Sequence, residues 1–127
     1  MRKLIIAVSI GLLLAGVTLA AGAVASNIAP ADALALLKKR QNTYLLDVRT
    51  PQEFQEARIA GAHLIPIDQV MQRVGELPKD RPILVYCAVG SRSAQVFSFL
   101  ARRGYAEVYN LEGGIYAWAA KGYPLVR

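Results

Sequence analysis

The stretch PILVYCAVGSRS, residues 82–93, carries the strongest indication of how this chain folds. Its first part, residues 82–86, is an unbroken apolar run, which is typical of a strand that is buried on both faces. A short loop follows, and residues 93–103 then carry apolar side chains at helical spacing. A strand, a loop and a helix in this order are the repeating unit of a parallel α/β sheet.

The rest of the chain continues this alternation on both sides of the central stretch. We predict further strands at residues 43–48, 63–65 and 107–109, and further helices at residues 30–40, 51–57, 68–75 and 115–121. The sequence therefore predicts an α/β fold with a mostly parallel sheet and helices on both faces. Ligands of such sheets bind beyond the C-terminal ends of the strands, where Cys87 follows the strongest predicted strand.

The first 25 residues differ in composition from the remainder. Arg2 and Lys3 precede an uncharged apolar run, residues 4–24, and residues 23–25 have the small-x-small pattern of a cleavage site. We therefore expect an N-terminal hydrophobic signal helix, residues 1–25, that is removed from a mature domain, residues 26–127. The alternative is an uncleaved anchor through residues 4–24, since a run of this length can span a bilayer of about 30 Å. Both interpretations predict export, either to the periplasm or to a membrane-anchored position facing it.

The charge balance favours small anionic ligands. The chain has 15 basic and 9 acidic residues and a net charge of +6. A mild positive bias raises the local concentration of anions. The basic clusters at residues 38–40 and 102–103 fall at predicted helix C-termini, where they complement the helix dipole. We therefore expect no nucleic-acid partner.

The chain has one cysteine and one histidine. An internal disulfide is excluded, and we expect no metal site and no cofactor. Gly90 permits a positive φ, so the loop can curl with its amides pointing inward as an anion nest, and Arg92 adds positive charge. These groups would lower the pKa of Cys87 and make its thiolate a nucleophile. The alternative is that Cys87 is a small buried hydrophobic residue at the end of a strand.

Three sets of motifs resemble those of single-domain rhodaneses. Residues 46–54, LDVRTPQEF, resemble the D-V-R-x-x-x-E-F segment of that family. Residues 59–66, IAGAHLIP, resemble its I-x-G-A-x-x-I-P segment. Residues 87–93 and 110–118 resemble the active loop and the L-x-G-G-x-x-x-W ending. The similarity extends over nearly all of residues 28–127, and the export signal makes small periplasmic rhodaneses the nearest comparison.

The resemblance implies a sheet of about five strands and a sulfurtransferase activity. Cys87 would take a sulfane sulfur from a small anionic donor such as thiosulfate, and would pass it as a persulfide to a thiophilic acceptor such as cyanide or a thiol. Asp47 and Arg49 would support the site. The substrate would be bound by the residues that follow the nucleophile: Ala88, Val89, Gly90, Ser91, Arg92 and Ser93.

Within this group, the resemblance makes Arg92 the residue that holds the oxyanion of the donor. Related phosphatases place five residues between their cysteine and arginine, whereas four separate Cys87 from Arg92, which favours sulfur over phosphate. The alternative function is a sulfane-sulfur carrier or stress-linked binding module that does not turn over. The sequence leaves the physiological donor, the acceptor and the oligomeric state open.

Overall fold

The computed structural model describes residues 23–127. Its centre is a sheet of five strands in the order β1-β5-β4-β2-β3, and each neighbouring pair is parallel. The strands are β1 (Val24–Ile28), β2 (Tyr44–Asp47), β3 (His63–Leu64), β4 (Ile83–Tyr86) and β5 (Glu107–Leu111). The predicted parallel α/β fold is thus confirmed.

Helices cover both faces of this sheet. They are α1 (Pro30–Lys39), α2 (Pro51–Glu56), α3 (Val70–Arg73), α4 (Ser91–Ala101) and α5 (Gly114–Ala120). Side chains of α1 and α5 belong to one apolar core, and side chains of α3 and α4 belong to the other. Within residues 23–127, no helix is long and apolar enough to cross a bilayer.

The central strand β4 supplies both cores. All four of its residues are buried, and successive side chains point to opposite faces, as in any strand. Leu84 and Tyr86 lie in the core shared with α1 and α5, whereas Ile83 and Val85 lie in the core shared with α3 and α4. Cys87 continues this alternation and belongs to the second core, so its side chain is directed to the side of the sheet that α4 covers.

The first strand was missed by the sequence prediction. β1 is an edge strand with mostly exposed side chains, so it carries no apolar run that would reveal it. Val24 pairs with Glu107 and Ala25 pairs with Val108, so the strand begins before the expected cleavage point after Ala25. The rest of the expected signal helix, residues 1–22, lies outside the described residues.

The helix predicted at residues 68–75 was also wrong in its extent. Only Val70–Arg73 is α-helical, and 3₁₀ turns at Ile67–Gln69 and Val74–Glu76 flank it. Asp68 lies inside the first of these turns and does not cap a helix. With no side-chain cap at either end and Gly75 in the last turn, this segment lacks the local signals that prolong an α-helix.

Two consecutive glycines at the junction of β5 and α5 allow α5 to approach the residues that follow β4 closely. Gly113 and Gly114 have φ values of 73° and 60°, a region that side chains disfavour. The amide of Ile115 donates to the carbonyl of Cys87 at 2.9 Å, and the amide of Tyr116 donates to the carbonyl of Ala88 at 3.1 Å. A Cβ atom on Gly114 would lie 2.4 Å from the Ala88 oxygen, so this contact requires glycine.

We expect Gly114→Ala to destabilise the domain more than Gly104→Ala, its matched control. Gly104 has a similar positive φ of 80°, but a Cβ atom there would meet no heavy atom within 4 Å, so its substitution introduces only backbone strain, about 1 kcal/mol. Gly114→Ala adds overpacking against the loop, about 1–3 kcal/mol more. Urea unfolding midpoints measure both, and equal losses would show that the close approach of α5 is unimportant.

Candidate active site

The loop that follows β4, residues 87–93 and called here the Cys87 loop, brings three hydrogen-bond donors to one sulfur. Sγ of Cys87 accepts from the amide of Gly90 at 3.1 Å, from the amide of Ser93 at 3.4 Å and from the hydroxyl of Ser93 at 3.3 Å. Gly90 has a φ of 102° and directly precedes α4. This conformation lets the chain curl round the sulfur, as expected from the sequence.

The start of α5 holds the Cys87 loop from the opposite side. Its amides bind the carbonyls of Cys87 and Ala88, so these two oxygens are directed to α5. A Cβ atom on Gly90 would lie 3.4 Å from the amide nitrogen of Gly113, which shows how closely the two segments pack. The amides of the loop are thereby free to face the sulfur.

Competing influences act on the ionisation of Cys87. Burial is the largest and raises the pKa of the thiol. The hydroxyl and amide of Ser93 and the amides of Gly90 and Val89 act in the opposite direction, and together they hold the pKa of Cys87 below its ordinary value. The result is a larger thiolate fraction at neutral pH, which is the reactive form of the group.

The Ser93 hydroxyl has two acceptors for one proton. It lies 3.3 Å from Sγ of Cys87 and 3.2 Å from the carbonyl oxygen of Gly90. Because a charged acceptor forms the stronger hydrogen bond, ionisation of Cys87 favours donation to the sulfur. Ser93 is therefore a side-chain donor at the site, whereas the sequence indicated it only as part of the loop.

The sulfur lies beneath the surface of the loop. Cys87 is 0% exposed, while Val89 at the tip of the loop is 59% exposed. The structure therefore combines the two interpretations that the sequence left open, since Cys87 is buried and its sulfur also accepts hydrogen bonds from the loop. A reagent reaches Sγ only when the atoms that cover it move aside, which favours small reagents.

Arg92 is engaged by an acid from another part of the chain. Its Nη1 and Nη2 donate to Oε1 and Oε2 of Glu53 at 2.8 and 2.9 Å, a two-pronged ion pair. The Arg92 guanidinium lowers the pKa of Glu53 to about 2. Arg92, expected to hold the donor oxyanion, is thus already paired, and the sequence could not reveal this because the partners are 39 positions apart.

Glu53 has a second role at the start of α2. Its Oε1 accepts from the amide of Thr50 at 3.1 Å, and its own amide donates to the Thr50 hydroxyl at 3.2 Å. This reciprocal arrangement is a capping box, which the three-residue spacing of threonine and glutamate favours. One carboxylate therefore caps α2 and also binds the first turn of α4.

A buried ion pair supports the position of α2. Arg49 donates to both carboxylate oxygens of Asp47, with a shortest distance of 2.7 Å, and both residues are almost fully buried. Its Nη2 also donates to the carbonyl of Ala57 at 2.6 Å, just beyond α2. The pair thus ties the end of β2 to the helix that carries Glu53.

Tyr86 completes this support, and its polar role was missed at the level of sequence. Its hydroxyl accepts from the amide of Ile59 at 3.2 Å, and the guanidinium of Arg49 lies 5.5 Å from its ring centroid. Burial raises the pKa of Tyr86, so the hydroxyl stays protonated.

Ser91, which was also predicted to bind substrate, lies exposed on α4. The hydrogen bonds to Sγ of Cys87 come instead from Gly90 and Ser93.

A parallel α/β domain with a cysteine in a strand-to-helix loop defines a recognisable class, and comparison with known proteins specifies it. The sequence model of the family described as "Rhodanese-like domain" matches residues 29–121. A sulfurtransferase of Allochromatium vinosum is 41% identical over 90 residues, which are 71% of this chain and 84% of that protein. The thiosulfate sulfurtransferase GlpE of Vibrio cholerae is 32% identical over 93 residues, 73% and 87% of the two chains.

A solved structure gives the same result. The rhodanese-related protein of Thermoplasma volcanium superposes with a TM-score of 0.74 at 36% identity, covering 80% of this chain and 97% of that one. This chain belongs to the rhodanese-like domain family.

We expect Ser93→Ala to raise the pKa of Cys87, because the hydroxyl that favours the thiolate is lost. Hydrogen bonds to charged groups contribute about 1.5–3 kcal/mol, so alkylation by iodoacetamide at neutral pH should slow about tenfold. The measurement is the alkylation rate as a function of pH, whose midpoint should move to higher pH. Ser91→Ala, in the same helical turn but exposed, should leave that midpoint in place; a midpoint unchanged in both variants would contradict the role of Ser93.

We expect Asp47→Asn to cost about 3 kcal/mol of stability, because it leaves the buried charge of Arg49 without a counter-ion. Glu107→Gln is the comparison, since it removes a partner of the surface pair with Arg40 and should cost about 1 kcal/mol or less. Thermal or urea unfolding of the two variants measures the difference. Similar losses of stability in the two variants would show that the buried Asp47–Arg49 pair contributes no more than a surface pair.

Proposed function

We propose that this protein is a sulfurtransferase that uses Cys87 as its nucleophile. It would move the sulfane sulfur of thiosulfate, or of a similar small anionic donor, to a thiophilic acceptor such as cyanide or a thiol. One observation carries the proposal: three hydrogen-bond donors converge on Sγ of Cys87, in a loop between the central strand and the start of α4. Such an environment stabilises a sulfur anion.

In the first step, the thiolate of Cys87 attacks the outer sulfur of thiosulfate. A new S–S bond forms between the enzyme and that sulfur, while the bond between the outer sulfur and the sulfonate sulfur breaks. Sulfite leaves with the electron pair, so the total charge is conserved and no oxidant is needed. The product is a Cys87 persulfide whose terminal sulfur carries the negative charge.

In the second step, the acceptor attacks the terminal sulfur of the persulfide. With cyanide, a C–S bond forms, the S–S bond breaks and the electron pair returns to Sγ of Cys87, giving thiocyanate and the original thiolate. The donors from Gly90 and Ser93 therefore stabilise the leaving group of this step as well. Because the chain has one cysteine, the persulfide cannot collapse into an internal disulfide.

The names of two relatives support this reaction class, since both are called sulfurtransferases and one is called a thiosulfate sulfurtransferase. Thiosulfate is therefore the first donor to assay. The burial of Cys87 favours a second candidate of the same chemistry, a sulfane-sulfur carrier that loads once and releases slowly. A carrier would accept one sulfur from thiosulfate yet show negligible steady-state formation of thiocyanate.

We also propose that residues 1–25 direct export, on the evidence of Arg2, Lys3 and the apolar run at residues 4–24. A cut after Ala25 would leave Ser26–Ile28, the three residues of β1 that pair with Tyr109–Leu111. The intact mass of protein recovered from the periplasmic fraction identifies the first residue. A full-length mass in the membrane fraction would instead support an anchor.

We expect Cys87→Ser to abolish sulfur loading. After thiosulfate treatment, the intact mass of the unmodified protein should increase by one sulfur atom, and cyanide should restore the original mass. The variant should show neither change while keeping its circular dichroism spectrum and unfolding midpoint. If sulfur still accumulates on the Cys87→Ser protein, the proposed mechanism is contradicted.

A further inference from the structure

The charge that should attract an anionic donor is occupied in this structure. Arg92 is the cation of the Cys87 loop, and both of its terminal nitrogens bind the carboxylate of Glu53. An anion that uses the same guanidinium has to compete with this internal carboxylate. Because of this competition, the apparent affinity for the anion equals the intrinsic affinity multiplied by the fraction of Arg92 that is not bound to Glu53.

The Arg92–Glu53 ion pair is charged near neutral pH and is accessible to an incoming ligand. The side chains of Arg92 and Glu53 are 32% and 29% exposed, so solvent and solutes reach both groups. The pKa of Glu53 is lowered to about 2 by the Arg92 guanidinium, so the carboxylate is charged at any pH near neutrality. Protonation of Glu53 therefore does not release Arg92 under working conditions.

Glu53 also faces a groove beside the Cys87 loop. This groove has a volume of about 170 Å³, and its lining includes Ala88 of the loop together with Glu53, Glu56 and Arg49. Arg49 is neutralised by Asp47 and Glu53 is paired with Arg92, so within residues 23–127 the carboxylate of Glu56 is the charge at the groove that has no ionic partner. An anion that approaches from this side meets the carboxylates of Glu53 and Glu56, while Arg49 and Arg92 are each already paired with an acid.

We infer that Glu53 sets how tightly the site binds anionic donors, because it holds the Arg92 guanidinium in competition with the oxygens of the donor. Glu53 acts through Arg92 and is a positioning residue, with no contact to the sulfur. The inference rests on the proposed function insofar as it concerns an anionic sulfur donor. The competition selects against weakly held anions and favours donors that bring two or more oxygens to the guanidinium.

The substitution Glu53→Gln separates this role from a structural one. Glutamine keeps an oxygen that can accept from the amide of Thr50, so the cap of α2 is retained, but it removes the charge that holds Arg92. A purely structural role predicts weaker activity after the substitution. Release of Arg92 predicts the opposite: the KM for thiosulfate should fall about threefold to tenfold at low salt, with a smaller change in kcat.

Glu56→Gln is the matched control. Glu56 lies on the same helix, lines the same groove and loses the same charge on substitution, but its side chain is paired with Gln52 and not with Arg92. It should change the KM by less than about twofold, since exposed charges are screened. Equal effects of the two substitutions would overturn the inference, because the general charge of the groove would then explain them.

A second readout does not depend on sulfur transfer. Iodoacetate and iodoacetamide both alkylate a thiolate, with formation of a C–S bond and loss of iodide, and they are similar in size but differ in charge. The alkylation rate of Cys87 by iodoacetate is divided by its rate with iodoacetamide. Restricted access to the sulfur slows both reagents equally, so the ratio measures how strongly the site attracts the negatively charged reagent. In Glu53→Gln this ratio should rise about threefold or more, and in Arg92→Gln it should fall below that of the unmodified protein.

The outcomes distinguish the inference from the proposed function. If thiosulfate does not load Cys87 but the alkylation ratio rises in Glu53→Gln, the inference stands and the donor assignment fails. If thiosulfate turnover is normal but the ratio and the KM are unchanged in Glu53→Gln, the function stands and the inference fails. Should Glu53→Gln not fold, an Arg92→Gln ratio equal to that of the unmodified protein is by itself sufficient to overturn it.

Discussion

Two hydrogen bonds from the first turn of α5 to the Cys87 loop set the environment of Cys87. They bind the carbonyls of Cys87 and Ala88, and a loop whose carbonyls are committed to one side presents its amides to the other. The contact depends on Gly114, because any side chain there would meet the Ala88 oxygen. A turn at the end of β5 therefore determines the chemistry of a residue at the end of β4.

The resulting site balances two opposing effects on one sulfur. Burial in the core shared with α4 disfavours a charged thiolate, whereas the donors of Gly90 and Ser93 favour it. The donors prevail, so the group is ionised more readily than a free thiol even though it has no exposed surface. Burial also makes each hydrogen bond to the anion stronger, since solvent does not screen it.

A chain of polar contacts connects this sulfur site to the interior of the sheet. Asp47 at the end of β2 holds Arg49, Arg49 holds the carbonyl that follows α2, and α2 places Glu53 against Arg92. The buried end of this network, the Asp47–Arg49 pair, is costly to break, because an unpaired charge would then remain in the core. The other end of this network is the Arg92–Glu53 ion pair, whose two side chains are partly exposed to solvent.

Local signals in the amino-acid sequence were sufficient to predict several elements of the fold and the site. The apolar run of β4 predicted a buried strand, and Gly90 after Cys87 predicted a curled loop before a helix. The sequence did not predict the edge strand β1, because its side chains are mostly exposed and its hydrogen bonds go to β5, about 80 residues away in the chain. The sequence left the burial of Cys87 open as one of two interpretations, and the orientation of its loop by α5 and the pairing of Arg92 with Glu53 could be seen only in the folded chain. Each of these depends on contacts between residues distant in sequence, whose partners follow from packing and not from local pattern.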